Sequence, residues 1–125
     1  ERERLTVIDD QWGAPTGAEL IADVTAHAVR EVKRQGQRGG TYHLAASGFT
    51  TWFSYAKHVL AQAGQAQAAI KIKATEVSPI ATSQYPTPAR RPHNSRLDCR
   101  RLQDAFGLTL PPWQHGVNRL LAEIL

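Results

Sequence analysis

Strand, loop and helix follow one another twice in the first half of this chain, and that alternation restricts the fold more than any other feature. Leu5-Thr6-Val7-Ile8 is a short apolar run with β-branched members, ended by Asp9-Asp10, and reads as a strand entering a loop. The loop is Gln11-Trp12-Gly13-Ala14-Pro15. Thr16-Gly17-Ala18-Glu19 has the form of a capping box, in which each side chain would satisfy the other residue's free backbone N–H, so a helix is predicted to start there. Leu20, Val24, Ala28 and Val32 recur every four residues, with Ile21 and Val29 alongside, and the helix should end before Gly36. After a turn at Gly39-Gly40, Thr41 to Ala45 alternates as a second strand closed by Ser47-Gly48. Thr50 or Thr51 then caps a second helix, whose stripe of Phe53, Ala56, Val59, Leu60 and Ala63 stops at Gly64. Strands and helices in alternation bury their apolar faces against each other in layers, so the fold class is α/β and neither a bundle nor a sandwich.

The second half is less regular. Residues 65 to 69 are small or polar and read as a linker, and Ile70-Lys71-Ile72-Lys73 reads as an edge strand whose lysines discourage pairing with other chains. Pro79, Pro86, Pro88 and Pro92 fall between Ser78 and Pro92. Proline fixes φ and removes a donor, so this stretch is expected to be an ordered extended loop outside any sheet interior. Asp98 caps a third helix, with Leu97 and Leu102 placed as a hydrophobic staple, ending at Gly107. Pro111-Pro112 opens a fourth, with Val117, Leu120, Leu121 and Ile124 on one side. Short strands alternating with about four helices are expected.

At 125 residues, 42% hydrophobic and 21% charged, the chain is sized for one globular domain, residues 1–125. Its one cysteine, Cys99, cannot form an internal bridge and fits a reducing cytoplasm. No apolar run approaches the length of a membrane helix, and no signal peptide is seen at the opening Glu1-Arg2-Glu3-Arg4. The missing initiator methionine suggests a chain begun inside a longer protein. A net charge of +4 and a pI near 9.6 raise the question of nucleic acid. The basic residues, however, are spread over Arg30 to Arg38, Lys57, Lys71 to Lys73 and Arg90 to Arg101, largely on polar helix faces, and read as a solvated surface.

The chemistry of a reaction centre is missing. No glycine-rich turn follows a strand, as dinucleotide binding requires, because Gly36-Gln37-Arg38-Gly39-Gly40 comes after a helix. A carbonyl reductase needs a proton donor, usually a tyrosine with a lysine one helical turn away. Tyr55 has Lys57 only two positions on, while Tyr42 and Tyr85 have no lysine nearby. The five histidines form no HxxxH pair and none pairs with Cys99, which makes zinc improbable. Ser47-Gly48 is not a nucleophile elbow. No catalytic residue is assigned, and the chain reads as a binding half.

Three segments together carry a resemblance: Asp10-Gln11-Trp12-Gly13-Ala14-Pro15-Thr16, Gly40-Thr41-Tyr42-His43-Leu44, and the run from Tyr85 to Leu97 that contains Pro86-Thr87-Pro88-Ala89-Arg90-Arg91-Pro92-His93-Asn94-Ser95. In order and spacing they resemble the C-terminal portion of the dTDP-4-dehydrorhamnose reductases, which are extended short-chain dehydrogenases, and the similarity runs through Leu110-Pro111-Pro112-Trp113 to the closing helix. The resemblance implies a small substrate-binding domain, and a Rossmann domain, absent here, that holds NADPH and the Tyr/Lys pair. It also implies NADPH-dependent reduction of the 4-keto group of dTDP-6-deoxy-L-lyxo-4-hexulose to dTDP-L-rhamnose, a step toward bacterial envelope polysaccharide.

On this reading the substrate-binding candidates are Gln11, Trp12, Arg90, Arg91 and Asn94. Guanidinium groups fork onto diphosphate oxygens and an amide pairs with a base or sugar hydroxyl, while Gln11 and Trp12 leave the first strand where strand ends address a ligand. The bland alternatives are a surface role for the arginines and a packing role for Trp12. Glu19 and Glu123 match positions where some members use glutamates for magnesium at a homodimer contact, and carboxylates suit that hard cation. Their bland alternatives are a capping-box duty for Glu19 and a solvated helix position for Glu123. The rival from another class is a non-catalytic relative such as the β subunit of methionine adenosyltransferase, from which a Tyr-x-x-x-Lys upstream would distinguish the enzyme. A basic nucleic-acid module is the third reading, and it would show a steep salt slope on duplex DNA.

Overall fold

The computed structural model describes residues 3–36, 38–66, 72–74 and 76–125. In chain order it comprises β1 (Arg4–Ile8), β2 (Trp12–Gly13), α1 (Ala18–Gln35), β3 (Thr50–Thr51), α2 (Trp52–Gln65), β4 (Glu76–Ile80), a single 3-10 turn (Thr82–Gln84), α3 (Arg100–Phe106) and α4 (Trp113–Ile124). The α/β class and the four helices agree with the sequence pattern. β1 and β4 pair in parallel, Arg4 opposite Glu76 through Ile8 opposite Ile80. β2 and β3 form a second, antiparallel pair of two residues each.

The core lies in two adjoining clusters. In one, Val24 of α1 meets Leu102 and Phe106 of α3 and Leu110, with Tyr42 edge-on to Phe106 at 5.2 Å between ring centres. In the other, Trp113, Val117 and Leu121 of α4 surround Ala46, with Tyr55 and Val59 of α2 packed against them. Leu20 touches both clusters and joins them. The helical stripes read from the sequence point inward only in part: Val24, Val117 and Leu121 are buried, whereas Ile21, Val29 and Val32 of α1 and Leu120 and Ile124 of α4 are exposed.

Several local expectations are met. Thr51, not Thr50, caps α2, accepting a hydrogen bond from the Ser54 amide at 3.2 Å. α1 ends before Gly36, and α3 ends at Gly107 in the left-handed conformation that glycine adopts without steric cost. Pro112 is the N-cap residue of α4. Asp98 serves α3 from one position further out than expected: Cys99 is the N-cap, and the Asp98 carboxylate accepts from the Arg100 amide at 3.0 Å. Leu102 is buried, whereas Leu97 is 41% exposed and stands outside the cluster that Leu102 joins.

Four expectations are corrected. The capping box does not form: Gly17 is the N-cap of α1, with no side-chain cap. Thr16 instead donates to the Ala14 carbonyl at 2.9 Å and accepts from the Ala46 amide at 3.0 Å, so a tertiary contact has claimed the hydroxyl that a local cap would use. The predicted strand from Thr41 to Ala45 is extended but enters no ladder. Its last amides turn to side chains, Ala45 N–H to Cys99 Sγ at 3.2 Å and Ala46 N–H to Thr16, and the chain next bridges Ser47 to Pro112. Of the predicted edge strand, Ile70 and Lys71 lie outside the described residues, while Ile72 and Lys73 belong to no strand. The strand comes later, at Glu76–Ile80, and takes in Ser78 and Pro79 from the stretch expected to be loop.

Pro79 is tolerated inside β4 for a geometric reason. Glu76 donates its amide to the Glu3 carbonyl and Ile80 accepts from the Asp9 amide, so residues 76, 78 and 80 face β1. Position 79 therefore faces away from the ladder, where no donor is required. No helix among the described residues is long and apolar enough to cross a membrane.

Candidate functional site

The ends of β1, β2 and β3, the start of α2 and the proline-rich segment enclose a cavity of about 830 Å³. Trp12, Trp52 and Tyr85 give it aromatic surface, and Gln11, Thr51 and Thr82 bring polar groups among them. All three aromatic residues are roughly half exposed, so their rings are open to a ligand or a neighbouring surface. A concave site with broad apolar walls and a few fixed polar groups is the usual form of a small-molecule site.

The polar groups are fixed by a chain of hydrogen bonds at the end of β1. Gln11, 9% exposed, donates its amide Nε2 to Thr82 Oγ1 at 3.1 Å, and Thr82 in turn donates its hydroxyl to the Asp10 carboxylate. The Thr82 backbone N–H bonds the same carboxylate, at 2.9 and 3.0 Å to its two oxygens. These Thr82 donors, hydroxyl first, hold the Asp10 carboxyl below its ordinary range, and the nearby His93 adds to the effect. His93 Nδ1 also lies 3.0 Å from the Asp10 carbonyl. One residue earlier, Asp9 accepts from the hydroxyl of Thr51, itself 2% exposed, which ties β1 to the start of α2. Two consecutive aspartates after a strand thus brace two different walls of one cavity.

The proline-rich segment is tied down on the opposite side. Trp12 donates its amide to the His93 carbonyl and accepts from the Ser95 amide, both at 2.8 Å, which seats residues 93 to 95 against β2. Of the candidates read from sequence, Gln11, Trp12 and Arg91 line the cavity. Arg90 is exposed and does not line it. Asn94 is also off its wall, and its Oδ1 accepts from the Arg96 backbone at 3.1 Å and from Arg96 Nε at 2.9 Å. Thr51, Trp52, Tyr55, Thr82 and Tyr85 were not singled out by sequence as binding residues. A local signal existed only for Tyr85, which opens the proline-rich run; the others reach the cavity through tertiary folding.

Glu19 and Glu123 are brought together, but around a cation the chain supplies. Arg119 lies 3.0 Å from Glu19 and 3.4 Å from Glu123. Magnesium requires near-octahedral oxygen ligation. Here two carboxylates already share a guanidinium, and no group of three or more His, Cys, Asp or Glu suited to a metal occurs among the described residues. The residues present do not by themselves fit magnesium. Tyr55 is on the cavity wall, but the Lys57 ammonium lies over the Phe53 ring, 5.4 Å from its centre, so among the described residues the two do not form a pair there.

Comparison with known proteins identifies the family. Residues 1–125 match the family model described as RmlD substrate binding domain. The dTDP-4-dehydrorhamnose reductase of Escherichia coli K12 is 52% identical over 124 residues, covering 99% of this chain and 41% of that protein. The enzyme of the same name from Mycobacterium tuberculosis is 32% identical over 95% of this chain and 36% of its own length. Among solved structures, a dTDP-4-dehydrorhamnose reductase from Clostridium acetobutylicum superposes with a TM-score of 0.82 at 25% identity. One from Bacillus anthracis, in complex with NADP, gives 0.74 at 29%, and each comparison covers 98% of this chain and 39% of the other. The chain thus spans about two-fifths of the length of the relatives it matches. A match to one domain model along its whole length, together with 52% identity to a curated relative, shows that the chain belongs to the RmlD substrate binding domain family, the substrate-binding part of dTDP-4-dehydrorhamnose reductases.

Proposed function

We propose that residues 1–125 form the substrate-binding domain of a longer NADPH-dependent reductase and hold a dTDP-linked 4-keto-6-deoxyhexose for reduction to dTDP-L-rhamnose. The observation that carries this reading is the aromatic cavity at the strand ends, lined by Gln11, Trp12 and Arg91. Aromatic faces suit a pyrimidine base or the apolar face of a sugar, buried threonine hydroxyls and a glutamine suit the sugar hydroxyls, and Arg91 meets negative charge at the wall. Hydride transfer and protonation of the new hydroxyl belong to a Rossmann domain elsewhere in the longer protein. Gln11, Trp12 and Arg91 hold the substrate, with Arg90 and Asn94 at the outer rim.

Bound NADPH supplies hydride to the keto carbon. This chain's residues bind and orient the sugar nucleotide and keep water from the covered part of it. Binding through an ordered wall is efficient here because Asp9, Asp10 and Thr82 already hold the wall in place, so little ordering remains when the ligand arrives.

The test is twofold. The chain alone should not oxidise NADPH in the presence of the keto-sugar nucleotide, whereas the complete gene product should. In the complete product, Arg91→Ala should raise KM for the sugar nucleotide and leave NADPH affinity nearly unchanged. Turnover by the chain alone, or a sugar-nucleotide KM that survives in a folded variant, would count against the assignment.

A further inference from the structure

A second cavity, of about 510 Å³, is lined by Phe49, Asn94, Arg96, Cys99, Arg100 and their neighbours. Arg96 reaches an aromatic ring of each cavity. Its guanidinium carbon lies 6.0 Å from the ring centre of Trp12, which lines the first cavity, and 5.4 Å from that of Phe49, which lines the second. Asn94 Oδ1 accepts from both its backbone N–H and its Nε, and Asn94 is itself bridged to Trp12. An exposed arginine ordinarily samples many rotamers, but this one is held by two aromatic rings and an amide. Its terminal Nη donors have no hydrogen-bond or ion-pair partner among the described residues.

The other arginines nearby differ. Arg100 is committed to Asp98, through three hydrogen bonds to both carboxylate oxygens. Arg90 and Arg91 make no hydrogen bond or ion pair among the described residues, so fixing either on a ligand costs the side-chain entropy that Arg96 has already given up. A planar, preorganised cation with both terminal Nη groups free, set between an aromatic ring of each cavity, fits an anionic linker whose two ends extend to either side.

We infer that Arg96 is the diphosphate-recognising residue of this domain: its Nη groups fork onto phosphate oxygens of the sugar nucleotide, while the ligand occupies the Trp12 cavity on one side and extends toward the Phe49 cavity on the other. Asn94 is the positioning residue, acting through Arg96. This inference rests on the sugar-nucleotide reading above and sharpens it, since the sequence motif alone directs attention to Arg90 and Arg91.

The experiment compares thymidine diphosphate with thymidine by calorimetry on the complete gene product, with excess NADP filling the dinucleotide site. The wild type should prefer the diphosphate. Arg96→Gln should weaken thymidine diphosphate by about 10- to 100-fold, the range for losing one charge-assisted contact, and leave thymidine unchanged; Arg96→Lys should recover part of the loss, and Arg91→Gln should lose less than Arg96→Gln. Unchanged thymidine binding also reports that the variant is folded. If the wild type binds neither probe, the sugar-nucleotide reading itself fails. If the wild type prefers the diphosphate and Arg96→Gln keeps that preference, or if Arg91→Gln takes the larger loss, the assignment to Arg96 is overturned. Equal weakening of both probes by Arg96→Gln would also overturn it, because Arg96 would then be a prop for Trp12.

Discussion

Thr16 shows how one hydroxyl is reassigned between sequence and fold. Local pattern makes it a helix cap, but in the structure its oxygen receives the Ala46 amide, and Ala46 is buried beside Trp113. Thr16→Ala should therefore cost about 1–3 kcal/mol by leaving a buried amide unpaired, read from the denaturation midpoint. Thr16→Ser should restore most of it. Because no capping box exists, Glu19→Gln should weaken only the exposed pair with Arg119, a loss of about 0–1 kcal/mol. A loss well above 1 kcal/mol would mean that the Glu19 carboxylate does more than form an exposed ion pair. At Asp98, the hydrogen bonds from Arg100 lower the carboxyl from 3.8 to about 2. The folded state thus favours the ionised form, so the contribution is present above pH 3.8 and lost as pH falls toward about 2. The difference in thermal midpoint between wild type and Asp98→Asn should be constant above neutral pH and shrink across that acid window. A difference undiminished at pH 2 would mean that the charge is not its source.

At the scale of elements, helices were more legible than strands. The four helical stripes, the glycine stops after α1 and α3 and the threonine cap of α2 are written in contiguous residues, and each stop or cap is a local stereochemical preference. A strand depends on a partner elsewhere in the chain. Thr41 to Ala45 alternates like a strand and finds no ladder, whereas Glu76–Ile80 contains a proline and still pairs fully with β1. The deciding fact is which way each amide points, and that is set by register. The two positions should therefore respond oppositely to the same side chain. Pro79→Ala should change stability little, within about 0.5 kcal/mol, the range for surface changes. Ser78→Pro should remove a donor facing β1 and cost about 1–3 kcal/mol or more. Similar urea midpoints for the two variants would show that the amide alternation in β4 has been misread.

For the molecule as a whole, the cavity was only half legible, for the same reason. Gln11, Trp12 and Arg91 sit in motifs that can be read along the chain, but Thr51, Trp52, Tyr55 and Thr82 become a wall only after β1 and β4 have aligned. The Asp10–Thr82 contact spans most of the sequence, and no local spacing announces it. That long reach has a kinetic side. β1 and β4 stand at opposite ends of the intervening helices, so closing their pair requires a large loop to be ordered before its contacts contribute, whereas the turns inside α3 and α4 form between near neighbours, although their packing on α1 and α2 is as long-range as the strand pair. The parallel pair should be absent from the rate-limiting barrier and the helical turns partly present. Truncating Val7 to Ala should then speed unfolding with little change in the refolding rate, whereas Ala122→Gly on the exposed face of α4 should slow refolding. On this account the ligand cavity is the last part of the domain to take shape, and a chain emerging from the ribosome has no binding surface until β4 has been made.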